Sequence, residues 1–382
     1  MAAAPVLFMD HSAALGGAER ILLLLLECLD HDRFLPHLVA PPGALATAAR
    51  QVGVIVHEIP LARLRGAPLA PWRLARTMVP LLQLMRREHI ALVCAHSARA
   101  SVYGAAAAAL ARRPFLWHLH EAGPPGMYRR LMCMCCDAAI AVSAAVGVYV
   151  PCRRKLRVIH NGIRVLDFAD DARDRAVRLR KAWGVPPTAM LIGQIARFQP
   201  WKGQRDVIAA AELLLRDHPD VYVAIIGSDL FGDAAAYERE LKARVEQRGL
   251  SQRVLFTGHQ EDIRAVLSAI DILVHASANE PFGTVLLEAG AAGRPIVAYA
   301  SGGVPEALTC DETALLVPQG DWAGLAAGLS RLVVNPELAR RLGEAARVIV
   351  RQRFDIRRMV DEVQEVLGSV VDRGTSRTAA RR

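Results

Sequence analysis

Asp271-Ile-Leu-Val-His-Ala-Ser277, then Ala278-Asn-Glu-Pro-Phe-Gly283, then Thr284-Val-Leu-Leu-Glu288 reads as a strand, a loop and the start of a helix. The first segment is apolar enough for a buried strand. Pro281 and Gly283 keep the second out of any helix interior. Glu280 therefore sits on the loop, and Glu288 lies one turn into a helix that opens near Thr284. In a single helix the two carboxylates would point about 80° apart. The first N–H groups of the helix lack partners and carry partial positive charge. In doubly wound sheets, ligands bind beyond the C-terminal edges of the strands. The segment thus joins an anion cradle to two hydrogen-bond acceptors, which suits a ligand with phosphate in its middle and hydroxyls at both ends, such as a nucleotide sugar. A plain strand–loop–helix turn, with Glu280 in solvent and Glu288 favoured by the helix dipole, leaves the same trace.

The same alternation extends through the chain. Strand candidates in the first half are Val6–Met9, His37–Ala40, Val54–Ile59, Leu92–Ala95, Phe115–His118 and Ala139–Val142. Those in the second half are Met190–Ile195, Val221–Ile226, Val254–Thr257, Ile272–His275, Ile296–Ala298 and Ala314–Val317. Continuous apolar strands separated by helical stretches imply parallel sheets covered on both faces. Two such series in 382 residues imply an α/β chain of two doubly wound, Rossmann-like domains. The seam falls between His160 and Pro187, and the division is expected at 1–168 and 169–352. A final amphipathic helix is expected over 353–367. Residues 368–382, rich in Gly, Ser, Thr and Arg, read as a disordered tail.

A hydrophobic fraction of 53% supports two full cores, and with only 5% aromatic residues aliphatic side chains must fill them. The longest aliphatic runs, Ile21–Leu26 and Ala105–Leu110, are far short of a bilayer span. There is no basic leader ahead of an apolar stretch, so a cytoplasmic location is expected. Seven Cys, an odd number in a large chain, favours reduced thiols over a disulfide framework. Residues 1–168 hold 19 Lys+Arg and 10 Asp+Glu, whereas 169–382 hold 28 of each, so the whole net charge of +9 lies in the first half. That asymmetry points to an anionic partner such as a membrane, nucleic acid or phosphorylated acceptor. Free use of Arg by a GC-rich genome gives the same count.

Further constellations carry chemistry. In Gly193-Gln-Ile-Ala-Arg197-Phe-Gln-Pro-Trp201-Lys202-Gly203 two cations bracket a turn beyond a strand, where they can hold a diphosphate. Leu15-Gly16-Gly17-Ala18-Glu19 joins the first strand to a long helix, and its glycines let backbone approach an anion. No G-x-G-x-x-G stands there, which argues against a nicotinamide cofactor. His118 and His120 alternate onto one face at a strand end, with His96 a weaker candidate of the same kind. A His there can donate to a developing negative charge. Asp30-His31-Asp32 has the form of a metal-holding pair but closes a helix away from any strand end. Cys133, Cys135 and Cys136 have no second Cys/His pair at zinc spacing. No metal is expected. Pro71–His89 mixes Trp72, Leu74 and Met78 with Arg73, Arg76, Arg86 and Arg87. It reads either as a basic helix on a membrane or, with Arg side chains snorkelling, as a core helix kinked by Pro80.

Together these segments resemble the family 4 (group 1) retaining glycosyltransferases of the GT-B fold, over nearly the whole chain. The most specific part is Asn279-Glu280-Pro-Phe-Gly-Thr-Val-Leu-Leu-Glu288-Ala, with Ala-Gly293-Arg-Pro-Ile-Val and Ser301-Gly-Gly-Val-Pro-Glu306 after it. Arg197 and Lys202-Gly203 fit the family's diphosphate loop, and Ile159-His-Asn161-Gly162-Ile163 resembles its interdomain segment. His160 and Arg164 stand where the family often has Pro and Asp.

The resemblance implies two Rossmann-like domains facing a deep cleft, with the C-terminal helix returning to the first. It implies that Arg197 and Lys202 neutralise the diphosphate of a UDP- or GDP-sugar. Glu288 would hold the ribose and Glu280 the sugar hydroxyls. Backbone N–H groups around Phe282, Gly283 and Thr284 would meet sugar or phosphate, Gly16 and Gly17 the distal phosphate, and His120 the scissile bond. His120, Glu280, Arg197 and Lys202 would carry front-face transfer with retention and without a metal. The acceptor would be a glycan or lipid-linked intermediate bound by the basic first domain at the cytoplasmic membrane face, and no nucleic acid is expected. A nucleotide-sugar epimerase of the same architecture and a non-catalytic glycosyltransferase-like subunit are the competing readings.

Overall fold

The computed structural model describes residues 3–62, 70–123, 126–168, 172–230 and 232–379. The first sheet comprises β1 Ala4–Met9, β2 Phe34–Ala40, β3 Ile55–Glu58, β4 Leu92–Ala95, β5 Phe115–Leu119, β6 Ala138–Ala141 and β7 Leu156–Val158. The second comprises β8 Leu191–Ile195, β9 Tyr222–Ile226, β10 Val254–Gly258, β11 Ile272–His275, β12 Ile296–Tyr299 and β13 Leu315–Val317. All pairings are parallel, in the orders β3-β2-β1-β4-β5-β6-β7 and β10-β9-β8-β11-β12-β13. The order reverses once in each sheet, between β1 and β4 and between β8 and β11. Loops diverge at these points, and they are where open α/β sheets bind ligands.

β4, β5, β6, β9, β11 and β12 are buried at every position. That is why their sequences are continuous apolar runs rather than alternations. The first core gathers Phe8, Leu22, Leu25, Leu38 and Leu92. The second gathers Ile192, Ile208, Val274, Leu325 and Leu342. Truncating any one of these leucines to Ala costs about 2–5 kcal/mol.

The chain divides into Met1–Gly162 with Ile356–Arg382, and Ile163–Asp355. The division differs from the expected 168/169 and 352/353 because Ile163 is tied to the end of the second unit. Its N–H donates to the Phe354 carbonyl at 2.9 Å, and it bridges Asp355. The expected tail is corrected too. The last helix runs over Ile356–Ala379, and residues 380–382 lie outside the described part. Ile356, Met359, Val360, Val363, Leu367 and Val370 fall at helical spacing and are buried in the first core. Within the expected tail, Val370 is buried in the first core and Val371 packs against it, which outweighs the tail-like composition around them.

Two other expectations change. Cys133 pairs with Cys152, with Cα atoms 5.5 Å apart, so the expectation of reduced thiols fails at this pair. A pairing across 19 residues depends on the fold rather than on local spacing. The basic helix spans Ala70–Arg87, with Pro80 inside it. It turns Met78, Leu81, Leu84 and Met85 into the interior, as the core-helix reading requires. The side chains of Trp72, Arg73 and Leu74 lie outside the described part.

Candidate active site

At the β8/β11 switch point four strand-end loops are stitched together. The loop after β8 ends in a short 3₁₀ turn, Pro200–Lys202, closed by Gly203 at φ +71°. A Cβ on Gly203 would lie 2.0 Å from the Ala276 carbonyl oxygen, so only glycine allows the two loops to approach. Ala278 N–H donates to the Trp201 carbonyl at 2.7 Å, which ties the loop after β11 to that turn. Gly303 N–H, after β12, donates to the Glu280 carbonyl at 2.8 Å. Gln319, after β13, accepts from Asn279 N–H at 3.0 Å and from Ser301 Oγ at 2.8 Å.

These ties fix a buried charge cluster. Lys202 Nζ donates to Glu280 Oε2 at 2.7 Å, with side-chain exposures of 15% and 7%. His275 Nε2 lies 3.1 Å from the same oxygen. Burial alone would raise the Glu280 pKa. The Lys202 charge and the His275 hydrogen bond overcome it and hold the carboxyl well below the usual range. Glu280 is therefore an ionised acceptor at any ordinary pH, not a proton donor. Oε1 accepts no hydrogen bond among the described residues.

Lys202 also lies 4.1 Å from the centre of the Trp201 ring, and the Arg197 guanidinium 5.7 Å from it. The structure thus brings the two expected cations to one indole. Thr284 opens the helix Thr284–Ala291, and Gly283 precedes it at φ +85°. Phe282 is buried against Phe354 at 5.6 Å, so its side chain serves the core. Glu288 is half-buried within the same helix. Sequence reasoning passed over His275, although a lone imidazole closing an apolar strand was a visible signal. It also missed Gln319, whose role comes only from loops that meet in space.

The β1/β4 switch point of the first unit is built differently. Asp10 follows β1, is buried, and accepts from Ser12 N–H at 2.8 Å. Burial, reinforced by Glu19, pushes its pKa up to about 7. His96 follows β4, His118 lies within β5, His120 follows it, and all three are buried. Ring centres lie 4.6 Å apart for His96–His118 and 4.4 Å for His118–His120. His96 Nδ1 is 3.2 Å from His120 Nε2. Burial pulls His120 down to about 4 and His96 and His118 well below the usual value, so at neutral pH all three are uncharged.

Gly16 precedes the helix Gly17–Cys28 in extended geometry. A Cβ on Gly17 would meet no atom within 4 Å, so packing does not explain glycine there. The Asp30–Asp32 pair forms a local turn: Asp30 Oδ1 accepts from Asp32 N–H at 3.0 Å.

The fold is GT-B, and both sequence and structure have counterparts among known proteins. The family model described as Glycosyltransferase Family 4 matches residues 15–165, and that described as Glycosyl transferases group 1 matches 177–348. The chain belongs to the family 4, group 1 glycosyltransferases. A D-inositol 3-phosphate glycosyltransferase of Corynebacterium jeikeium (strain K411) is 34% identical over 194 residues, 50% of this chain and 46% of that protein. The chain spans about half the length of several such curated relatives. The lipopolysaccharide core biosynthesis glycosyltransferase LpsD of Rhizobium meliloti (strain 1021) is 28% identical, over 96% of this chain and 98% of that one. The crystal structure of Anabaena Alr3699/HepE in complex with UDP and glucose superposes with a TM-score of 0.85 at 28% identity, covering 95% of this chain and 99% of that chain.

Proposed function

We propose that the protein transfers a sugar, with retention, from a UDP- or GDP-hexose type donor held by the second unit. The observation that carries this reading is the Lys202–Glu280–His275 cluster at the β8/β11 switch point, with Arg197 beside the same indole as Lys202. The UDP and glucose in the Alr3699/HepE complex support the donor class. Arg197 and Lys202 favour departure of the diphosphate, by positioning and charge stabilisation. An ionised Glu280 can accept from a sugar hydroxyl but cannot act as an acid. Glu288 binds the ribose, and the backbone at Phe282–Thr284 the phosphate or sugar. Gly16 and Gly17 leave backbone open to the distal phosphate. His120 acts as a neutral imidazole toward the reacting sugar. The two cations do the work a divalent ion would do on the diphosphate, so transfer needs no metal there.

The acceptor, in this reading, is a glycan or lipid-linked intermediate bound by the first unit. Met127, Leu131 and Met134 support a peripheral position at the inner face of the cytoplasmic membrane. They form one stripe of a helix and are 82%, 47% and 79% exposed. Lys155 Nζ donates to the carbonyls of Cys133 and Cys136 at that helix's end, which brings the exposed Arg153 and Arg154 alongside. No helix among the described residues is long and apolar enough to cross a membrane. A thermal-shift panel of UDP-, GDP- and ADP-sugars tests the donor class; no stabilisation by any of them overturns it. Flotation with anionic vesicles tests the membrane position.

A further inference from the structure

Cys94 and His96 alternate on the line of β4, and His118 stands one strand over in register, since Ala95 pairs with Trp117. The three side chains share one face and are buried. One ligand atom from each lies within 4.8 Å of the others. Cys94 Sγ is 3.4 Å from His96 Nε2. Zinc with Zn–S near 2.3 Å and Zn–N of 2.0–2.1 Å in a tetrahedron sets a sulfur and a nitrogen about 3.5 Å apart. The other ring nitrogen of His96, Nδ1, faces His120 Nε2 at 3.2 Å. That is the outer hydrogen bond that orients a metal-bound imidazole. His118 Nδ1 is buried with no hydrogen-bond partner among the described residues. An orphaned buried polar atom costs about 1–3 kcal/mol.

We propose that Cys94, His96 and His118 form a zinc site in the first unit, with His120 as the outer partner of His96. One thiolate and two imidazoles suit Zn²⁺ and not Mg²⁺ or Mn²⁺, which take oxygen donors. Three protein ligands leave a fourth position for water or an anion. Burial keeps the imidazoles neutral, as ligands must be. It also pushes the Cys94 thiol up, so zinc displaces a proton from sulfur on binding. The site escapes spacing rules because its ligands come from two strands rather than from a Cys-x-x-Cys pair. Its three ligands have no part in the donor site assigned to the second unit, and only their outer partner His120 is shared with the proposed transfer.

The test uses the full chain carrying Cys135→Ala and Cys310→Ala, because those two thiols are exposed and would bind metal adventitiously. After chelator treatment and dialysis, Co²⁺ titration should give a thiolate-to-metal charge-transfer band that saturates at one ion per chain. Zn²⁺ should abolish the band and raise Tm. Adding Cys94→Ala should remove the band and weaken Zn²⁺ binding at least tenfold, and His118→Gln should weaken it similarly, with the far-ultraviolet spectrum unchanged. Absence of the band in the parent overturns the proposal, as does stoichiometric zinc binding that survives Cys94→Ala. The parent titration decides the matter alone if a variant fails to fold.

Discussion

At β8/β11 the second unit buries a full negative charge and surrounds it with partners. At β1/β4 the first unit buries titratable groups and discharges them. The two sheets share a topology, and both reverse their strand order beside these sites, so backbone architecture does not make the difference. Side chains at the strand ends do. Lys202 reaches Glu280 because Gly203 lets two loops touch, and the ion pair then compensates burial. Asp10 has Glu19 rather than a cation as its main charged neighbour, and the histidines have one another. One site is thus suited to neutralising an anion, the other to neutral hydrogen bonds or a soft metal.

The largest expected effect breaks the charged site outright. Arg197→Ala with Lys202→Ala should abolish transfer with the fold retained; surviving activity removes the diphosphate argument. Lys202→Ala alone strands Glu280 and should destabilise the protein by about 3–5 kcal/mol. Denaturant melts check this, and an unchanged midpoint would mean that the pair is not held as described. Gly203→Ala should come next, costing about 1–3 kcal/mol through the close approach to Ala276. Gly17→Ala should leave Tm unchanged while weakening donor binding by calorimetry, which sharpens the contrast between a packing glycine and one facing open space. Glu288→Ala should also weaken the donor, and unchanged affinity counts against the ribose assignment.

Acid should separate the two units. Glu280 has a depressed folded-state pKa. Its contribution is present above the unfolded value near 4.5 and is lost only as pH falls below that. His96, His118 and His120 also have depressed values. The unfolded chain takes up their protons below about 6.5 while the folded chain does not, so stability falls as pH drops toward 4. Asp10, raised to about 7, opposes this, because its contribution is full at low pH and is lost as pH rises toward 7. Three protons against one leave stability rising with pH between about 4 and 6.5. Hydrogen exchange at pH 5 should show the first unit opening before the second, and equal opening would remove the contrast. The smallest effect expected is from EDTA, since the donor site uses no divalent ion; loss of activity restored by Mn²⁺ would bring Asp30 and Asp32 back into question, whereas loss restored by Zn²⁺ would act through His120 beside the Cys94–His96–His118 site.

Much of this was legible in the sequence because parallel strands buried on both faces must be apolar throughout. Six strands, β4, β5, β6, β9, β11 and β12, are buried throughout and stood out for that reason, and Ile272–His275 was read to the residue. β7, Leu-Arg-Val at a sheet edge and partly exposed, carries no such signal. Glu280, Lys202, Arg197 and Glu288 were legible as loop and helix-start residues next to strand ends. His275, Gln319 and the Cys133–Cys152 bridge were not, because their partners are set by which loops and strands become neighbours. The last helix was cut short at 367 because composition favoured disorder where Val370 and Val371 complete a core.

That helix gives the molecule an order of assembly. Residues Ile163–Asp355 are one unbroken stretch, whereas the first unit needs both ends of the chain. On the ribosome the inserted stretch emerges whole before the segment that covers Leu22 and Leu25 exists. The upstream sheet must wait, with part of its apolar face uncovered, until residues 356–370 arrive. Chains stopped at Asp355 should therefore yield a folded second unit attached to a sticky, protease-sensitive first one.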